Sequence, residues 1–399
     1  MQPDRAPSAY VTVAVLAASS LTVMANATIS PGLPGLEAHF AEVPGIRTLA
    51  GLVVTLPSLF VILAASLVGW LADRLNRRRM LAVSMVVYAL GGVSGLFLSS
   101  IEGILVGRAV LGLGVAGTMT LAITLAGDLW QGPARQRFIG LQSSAMAAGG
   151  VVFITLGGVL AGLGWRMPFL VYLAAIPIAV MVQHALRSVD TRPGNANAAG
   201  DAPAPHQPFP WRAVAPAYAA AFFFMVSFYL IPTRLPFLLA DMGIGSPNAA
   251  AAAMASATLV SIPGAMLYGR LRRVLSGAQV FALGFGLMGT GLAVVSLASG
   301  LAGVLPGTMI AGAGMGAMMP NFSTYMMSRV PAAHRGRASG MLTTSIFSGQ
   351  FVSPFLSAPL AAWLGLSGGF LAFGAALVTI AAGIALASPR GPSPHTVES

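Results

Sequence analysis

Twelve stretches of roughly twenty mostly apolar residues, each bounded by charges or by Gly and Pro clusters, fill most of this chain. A helix of about that length crosses the hydrocarbon of a bilayer while satisfying its own backbone N–H and C=O groups. The expected spans are 10–30, 49–72, 80–99, 101–127, 138–163, 168–186, 214–237, 249–268, 279–297, 302–327, 338–363 and 368–386. Only 8% of the 399 residues are charged, against about 25% in an ordinary soluble domain. A water-soluble globule is excluded, and the fold class is an all-α membrane protein.

Charge placement orients the spans. All 21 basic residues are Arg, and against ten acids they leave a net charge of +11. With both termini in the cytoplasm, seventeen arginines fall inside, Arg47, Arg166 and Arg234 fall outside, and Arg108 is left within span 4. The positive-inside rule selects that orientation. It also accounts for the high pI without a basic soluble surface, so no nucleic-acid partner is expected. There is no Cys, and the five His are scattered. Disulfide frameworks, thiolate catalysis and Cys-based metal sites are thereby excluded. The first span has a second reading as a secretory leader, since Arg5 precedes it and Met24-Ala25-Asn26-Ala27 resembles a cleavage site. Removing it would spoil the internal repeat.

That repeat divides the chain. The polar, Pro- and Ala-rich stretch 188–211 reads as a cytoplasmic linker between halves 1–187 and 212–399, each with six spans. Arg137-x-x-Gly140 returns as Arg337-x-x-Gly340, an offset of 200 residues, and the basic loop after span 2 has a counterpart after span 8. A duplicated six-helix unit is the expectation.

The strongest local signal is Gly69-Trp70-Leu71-Ala72-Asp73-Arg74-Leu75-Asn76-Arg77-Arg78-Arg79-Met80, in the loop between spans 2 and 3. It resembles the signature loop of the major facilitator superfamily, with Asn76 where that family usually has Gly. Asn tolerates a left-handed backbone better than most residues with a side chain. Topology alone explains the run Arg77 to Arg79, but not Asp73 among four arginines at a membrane border. The resemblance implies a fold of two pseudo-symmetric six-helix bundles and secondary transport by alternating access, in the manner of bacterial drug or metabolite exporters of the inner membrane. It also implies a cytoplasmic gate formed by Gly69, Asp73, Arg74, Arg77 and Arg78. Asp128 at the end of span 4 would pair with an Arg, and Gly336 and Arg337 at the start of span 11 would meet Asp73.

Arg108 is the only ionisable residue well inside a span, where insertion costs about 2.5–3.5 kcal/mol. It is expected to face a wet cavity or a partner, with snorkelling to the outer interface as the alternative. The glycines after it resemble the family's second motif, with Leu111 where Gln is common. Span 5 carries Gly157-Gly158 without the Gly-Pro of drug antiporters. Family resemblance places the central cavity on spans 1, 4, 7 and 10, which here carry Asn26, Arg108, Tyr229, Thr233, Arg234 and Asn321. Gln142 and Gln350, on spans 5 and 11, suit either substrate binding or helix contacts. Pro232 and Pro236 are expected to break span 7 near its outer end.

None of the ten acids lies mid-membrane. Exchange of a cationic drug for protons usually needs such a carboxylate, so neutral or anionic cargo is favoured, with Arg108 and Arg234 unopposed in the cavity. The expectation is export of a small organic molecule by a monomer in the lipid bilayer, driven by the proton gradient, with no cofactor and no metal. Uptake or facilitated diffusion of a metabolite, and a non-transporting receptor on the same fold, are the alternatives. An enzyme is not expected, for lack of any Ser-His-Asp, zinc-type or phosphate-cradling arrangement.

Overall fold

The computed structural model describes residues 7–187, 209–331 and 334–387; the side chains of Asn26 and Pro133 also lie outside the described set, as does linker stretch 188–208. Among the described residues there is no β-strand. The chain divides into two compact units, Met1–Pro203 and Ala204–Ser399.

In the first unit span 1 is α1 (Ala9–Ala27), continued by a 3-10 turn Ser30–Gly32 and the short α2 (Leu33–His39). Four long helices follow: α3 (Ile46–Ala72), α4 (Arg77–Val93), α5 (Ile101–Leu129) and α6 (Gly132–Leu163). Span 6 opens as a 3-10 segment, Met167–Ala174, and ends as α7 (Ala175–Ala185).

The second unit begins with α8 (Trp211–Phe228) and α9 (Leu230–Asp241), which together make span 7. Its break falls at Tyr229, inward of the prolines. Pro232 has no N–H for the Phe228 carbonyl four residues earlier, so the ladder is lost one turn before the ring. Then come α10 (Pro247–Val274), α11 (Gly277–Leu297), α12 (Leu301–Met327) and α13 (Arg335–Ala387). At about 1.5 Å per residue, 53 residues in one rod would far exceed a bilayer of roughly 30 Å. Gly365, with φ 74° and ψ 171°, interrupts α13. Among the described residues eleven helical stretches are long and apolar enough to span, and the last is two spans joined at that glycine. The protein is a multi-pass membrane protein.

Packing repeats inside each unit. Helices α4 and α11 begin 200 residues apart, as do α5 and α12. A Cβ on Gly91 would collide with the backbone of Leu111 and Gly107; one on Gly291 would collide with Ala311 and Gly307. Likewise Gly112 lies against the carbonyl of Pro57, and Gly312 against that of Ala257. These contacts recur at an offset of 200. Small residues let membrane helices approach backbone to backbone, which supplies the dispersion contact that lipid cannot outcompete.

Candidate functional site

The signature loop is built by two helix ends. Asp73 caps the C-terminus of α3, its N–H donating to the Gly69 carbonyl at 3.2 Å. Asn76 caps α4, its side-chain oxygen accepting from the Arg79 N–H at 3.1 Å. Arg77, the first residue of α4, reaches back across the turn. Its Nε donates to the Ala72 carbonyl at 3.2 Å, Nη1 donates to Asp128 Oδ2, and Nη2 lies 3.9 Å from Asp73 Oδ1. One guanidinium thus joins the end of α3, the start of α4 and the last turn of α5. A carboxylate at a helix C-terminus opposes the helix dipole, and Arg77 offsets that cost for Asp128.

The other loop arginines do different work. Arg78 donates to Gln183 Oε1 at 2.5 Å and to the Arg187 carbonyl at 3.3 Å, tying α4 to the end of α7. Arg74 lies over the Trp70 ring, 3.7 Å from its centroid. In the second unit Gly336 lies in the first turn of α13, and Arg337 lies 4.9 Å and 5.5 Å from the ring centroids of Phe209 and Trp211.

Arg108 is fully buried within the first unit. Its Nε donates to the Val53 carbonyl at 2.6 Å, Nη1 to the Tyr172 hydroxyl at 2.9 Å and Nη2 to the Ala25 carbonyl at 2.5 Å. The Tyr172 hydroxyl donates to that same Ala25 carbonyl at 2.9 Å, and Tyr88 donates to the Leu21 carbonyl at 2.7 Å. Among the described residues no carboxylate pairs with Arg108. Of the expectations for Arg108 (a wet cavity, a partner, or snorkelling), the structure shows partners on neighbouring helices. Carbonyl dipoles from α1 and α3, with the Tyr172 hydroxyl, replace water around the cation, so Arg108 works as a tie between α1, α3, α5 and the sixth span. Gln142 is a second tie: its Nε2 donates to Ser19 Oγ on α1 at 2.8 Å. Asn26 lies in the last turn of α1 beside Ala25.

The second unit repeats this outcome. Arg234 is buried, with Nε donating to Ser357 Oγ at 2.9 Å and Nη2 to the Pro354 carbonyl at 3.0 Å. Thr233 is buried and donates to the Tyr229 carbonyl within its own helix. Asn321 is closed off from solvent, donating to the Gly277 carbonyl at 2.9 Å and accepting from the Tyr268 hydroxyl at 3.3 Å. Gln350 points its Nε2 at Met225 Sδ, 3.9 Å away. Tyr229, at the α8–α9 break, is also buried. The polar atoms of Arg108, Thr233, Arg234 and Asn321, which the family resemblance put among the cavity candidates, bond to neighbouring helices or to their own.

Sequence reasoning missed Tyr88, Tyr172, Tyr268 and Ser357, the partners that make these ties. A hydroxyl in an apolar span carries no periodic signal. Only the buried Arg hinted that acceptors had to exist nearby.

A family profile described as Major Facilitator Superfamily matches residues 15–354 and, in a second match, 219–399. The bacillibactin exporter of Bacillus subtilis (strain 168) is 29% identical over 165 residues, 39% of this chain and 40% of that protein. The niacin transporter NiaP of Acinetobacter baylyi is 29% identical over 35% of this chain and 32% of its own length. The class C tetracycline resistance protein of Escherichia coli is 28% identical over 40% of each. The chain thus matches 40% or less of the length of these relatives. A solved structure of a bacterial homolog of the human lysosomal transporter Spinster superposes with TM-score 0.78 over 96% of this chain and 97% of that one, at 18% identity. The D-xylose-proton symporter does so with TM-score 0.73 over 95% and 98%, at 16% identity.

Proposed function

Because the chain belongs to the major facilitator superfamily, we propose that it is a secondary transporter that exports a small, neutral organic molecule across a bacterial inner membrane by alternating access. It is a transporter and not an enzyme. Both termini lie in the cytoplasm, the proton gradient drives the cycle, and the protein works as a monomer. The observation that carries this reading is the Arg77 clamp on Asp73 and Asp128. Asp73 is mostly exposed and Asp128 two-fifths exposed. Ion pairs of that kind are worth about 0–1 kcal/mol. A contact that weak is able to open and reform in every cycle, whereas a buried pair would lock the loop.

Cargo charge follows from what the arginines do. Arg108 and Arg234 are buried with their N–H groups on carbonyls and hydroxyls, so they no longer argue for an anionic substrate. With no acid near the middle of a span, nothing favours a cation either, and neutral cargo remains. Proton coupling then falls to acids at the span ends.

The name of the bacillibactin exporter supports export. That of the niacin transporter gives no direction and leaves room for a second reading, uptake of a small metabolite. Purified protein in liposomes with an imposed pH gradient, offered neutral, anionic and cationic solutes, tests both. Neutral solute moving against an inward proton gradient supports export. Movement with the gradient supports uptake, and cation exchange that survives every single acid substitution contradicts the coupling argument.

A further inference from the structure

We propose that Trp70 and Arg74 form a binding site for the phosphate of an anionic phospholipid, in the leaflet at the Arg-rich end of the spans. Leu63, Leu67, Trp70 and Arg74 are spaced as one stripe along α3 and its end. The first three are 64%, 57% and 53% exposed, and Arg74 is exposed as well. On a spanning helix, such a stripe meets acyl chains along its leucines and headgroups at its end. An exposed Trp at that level is the side chain that suits the interface, apolar on its ring and polar at its N–H.

The Arg is what turns an interfacial anchor into a site. Its guanidinium lies 3.7 Å from the Trp70 ring centroid. Stacking on an aromatic face fixes the planar fork while leaving its N–H edge free for a planar or tetrahedral anion. Among the described residues Arg74 makes no side-chain hydrogen bond and no ion pair; the adjacent Asp73 turns to Arg77 instead. Arg329, the comparable exposed residue just past the end of α12, also stacks on an aromatic, 3.5 Å from the Tyr325 ring centroid, but spends one N–H on the Tyr325 carbonyl. Arg74 thus pairs an oriented cation with unspent donors, at the end of an exposed apolar stripe. A phosphodiester supplies the acceptors.

The test uses the full chain in phosphatidylcholine vesicles carrying either brominated phosphatidylglycerol or brominated phosphatidylcholine at equal mole fraction. Trp70→Phe identifies the Trp70 share of the fluorescence. That share should be quenched more by the anionic lipid than by the zwitterionic one. Arg74→Gln should weaken the anionic preference about fivefold, while Arg329→Gln, with the same change of charge, leaves it intact. Equal quenching by the two lipids would overturn the proposal, as would an equal effect of both Arg variants, which marks general surface charge. Added inorganic phosphate should not relieve the quenching; relief would assign the site to free phosphate and overturn the lipid occupant.

Discussion

The loops α3–α4 and α10–α11 occupy corresponding places in the two units, and their second helices begin at Arg77 and Gly277, 200 residues apart. Charge holds the first: Arg77 binds Ala72, Asp73 and Asp128 near solvent. The second is held, among the described residues, by hydrogen bonds without an ion pair, from Arg272 to the Leu275 carbonyl, from Asn321 to the Gly277 carbonyl and from Tyr268 to Asn321, with a Ser276–Gln279 capping box at the start of α11. Exposed ion pairs are weak and screened by salt. Buried neutral hydrogen bonds are costly to leave unmade and indifferent to salt. The two units share a helix scaffold, while among the described residues one loop is held by ion pairs and the other by hydrogen bonds alone.

Five substitutions grade that contrast. Arg108→Met should have the largest effect, about 2–4 kcal/mol of lost stability, because it strands the Val53 carbonyl and removes one of the two hydrogen bonds of the Tyr172 hydroxyl. Thermal unfolding of purified protein in detergent reads it, and a variant as stable as the parent would break the account of Arg108 as a tie. Next, Gly112→Ala and Gly312→Ala should each cost about 1–3 kcal/mol, since each Cβ meets a facing carbonyl. Similar losses on both sides would sharpen the claim that the two units share one packing scheme, and a loss confined to one unit would break it. Asn321→Ala should cost about 1–2 kcal/mol and should show the same cost at low and high salt. Asp128→Asn should cost under about 1 kcal/mol, and the difference should vanish near 1 M salt, where the Debye length falls to about 3 Å. If salt acts on Asn321→Ala and not on Asp128→Asn, the contrast between the loops is reversed.

Much of the architecture was legible along the chain. Spans 2 to 5 and 8 to 10 appear where hydropathy put them, because the backbone in lipid has few choices besides a helix. Asp128 was read as the partner of an unspecified Arg, and Arg77 is the residue that reaches it. Less legible was the course of spans 1, 6 and 7, which pass through 3-10 turns or a break at Tyr229. Hydropathy averages over a window, so a local change of hydrogen-bond pattern inside an apolar run leaves no trace in it. The polar residues inside spans were the hardest to read. Asn321 and Gln142 looked like candidates for a ligand, and each is bonded to a neighbouring helix.

Taken alone, the order of residues determined that this chain crosses a membrane about twelve times, that its halves repeat at 200, and that one Arg had to be accommodated among apolar neighbours. These follow from transfer energies and periodicity, which belong to a residue and its local segment. Only the tertiary structure decided what each buried polar group bonds. Arg108 finds carbonyls from Ala25 and Val53, 83 and 55 positions away, and no local pattern encodes which backbone oxygen will come within 3 Å of a guanidinium. The cost of burying a charge demands partners; helix packing chooses them.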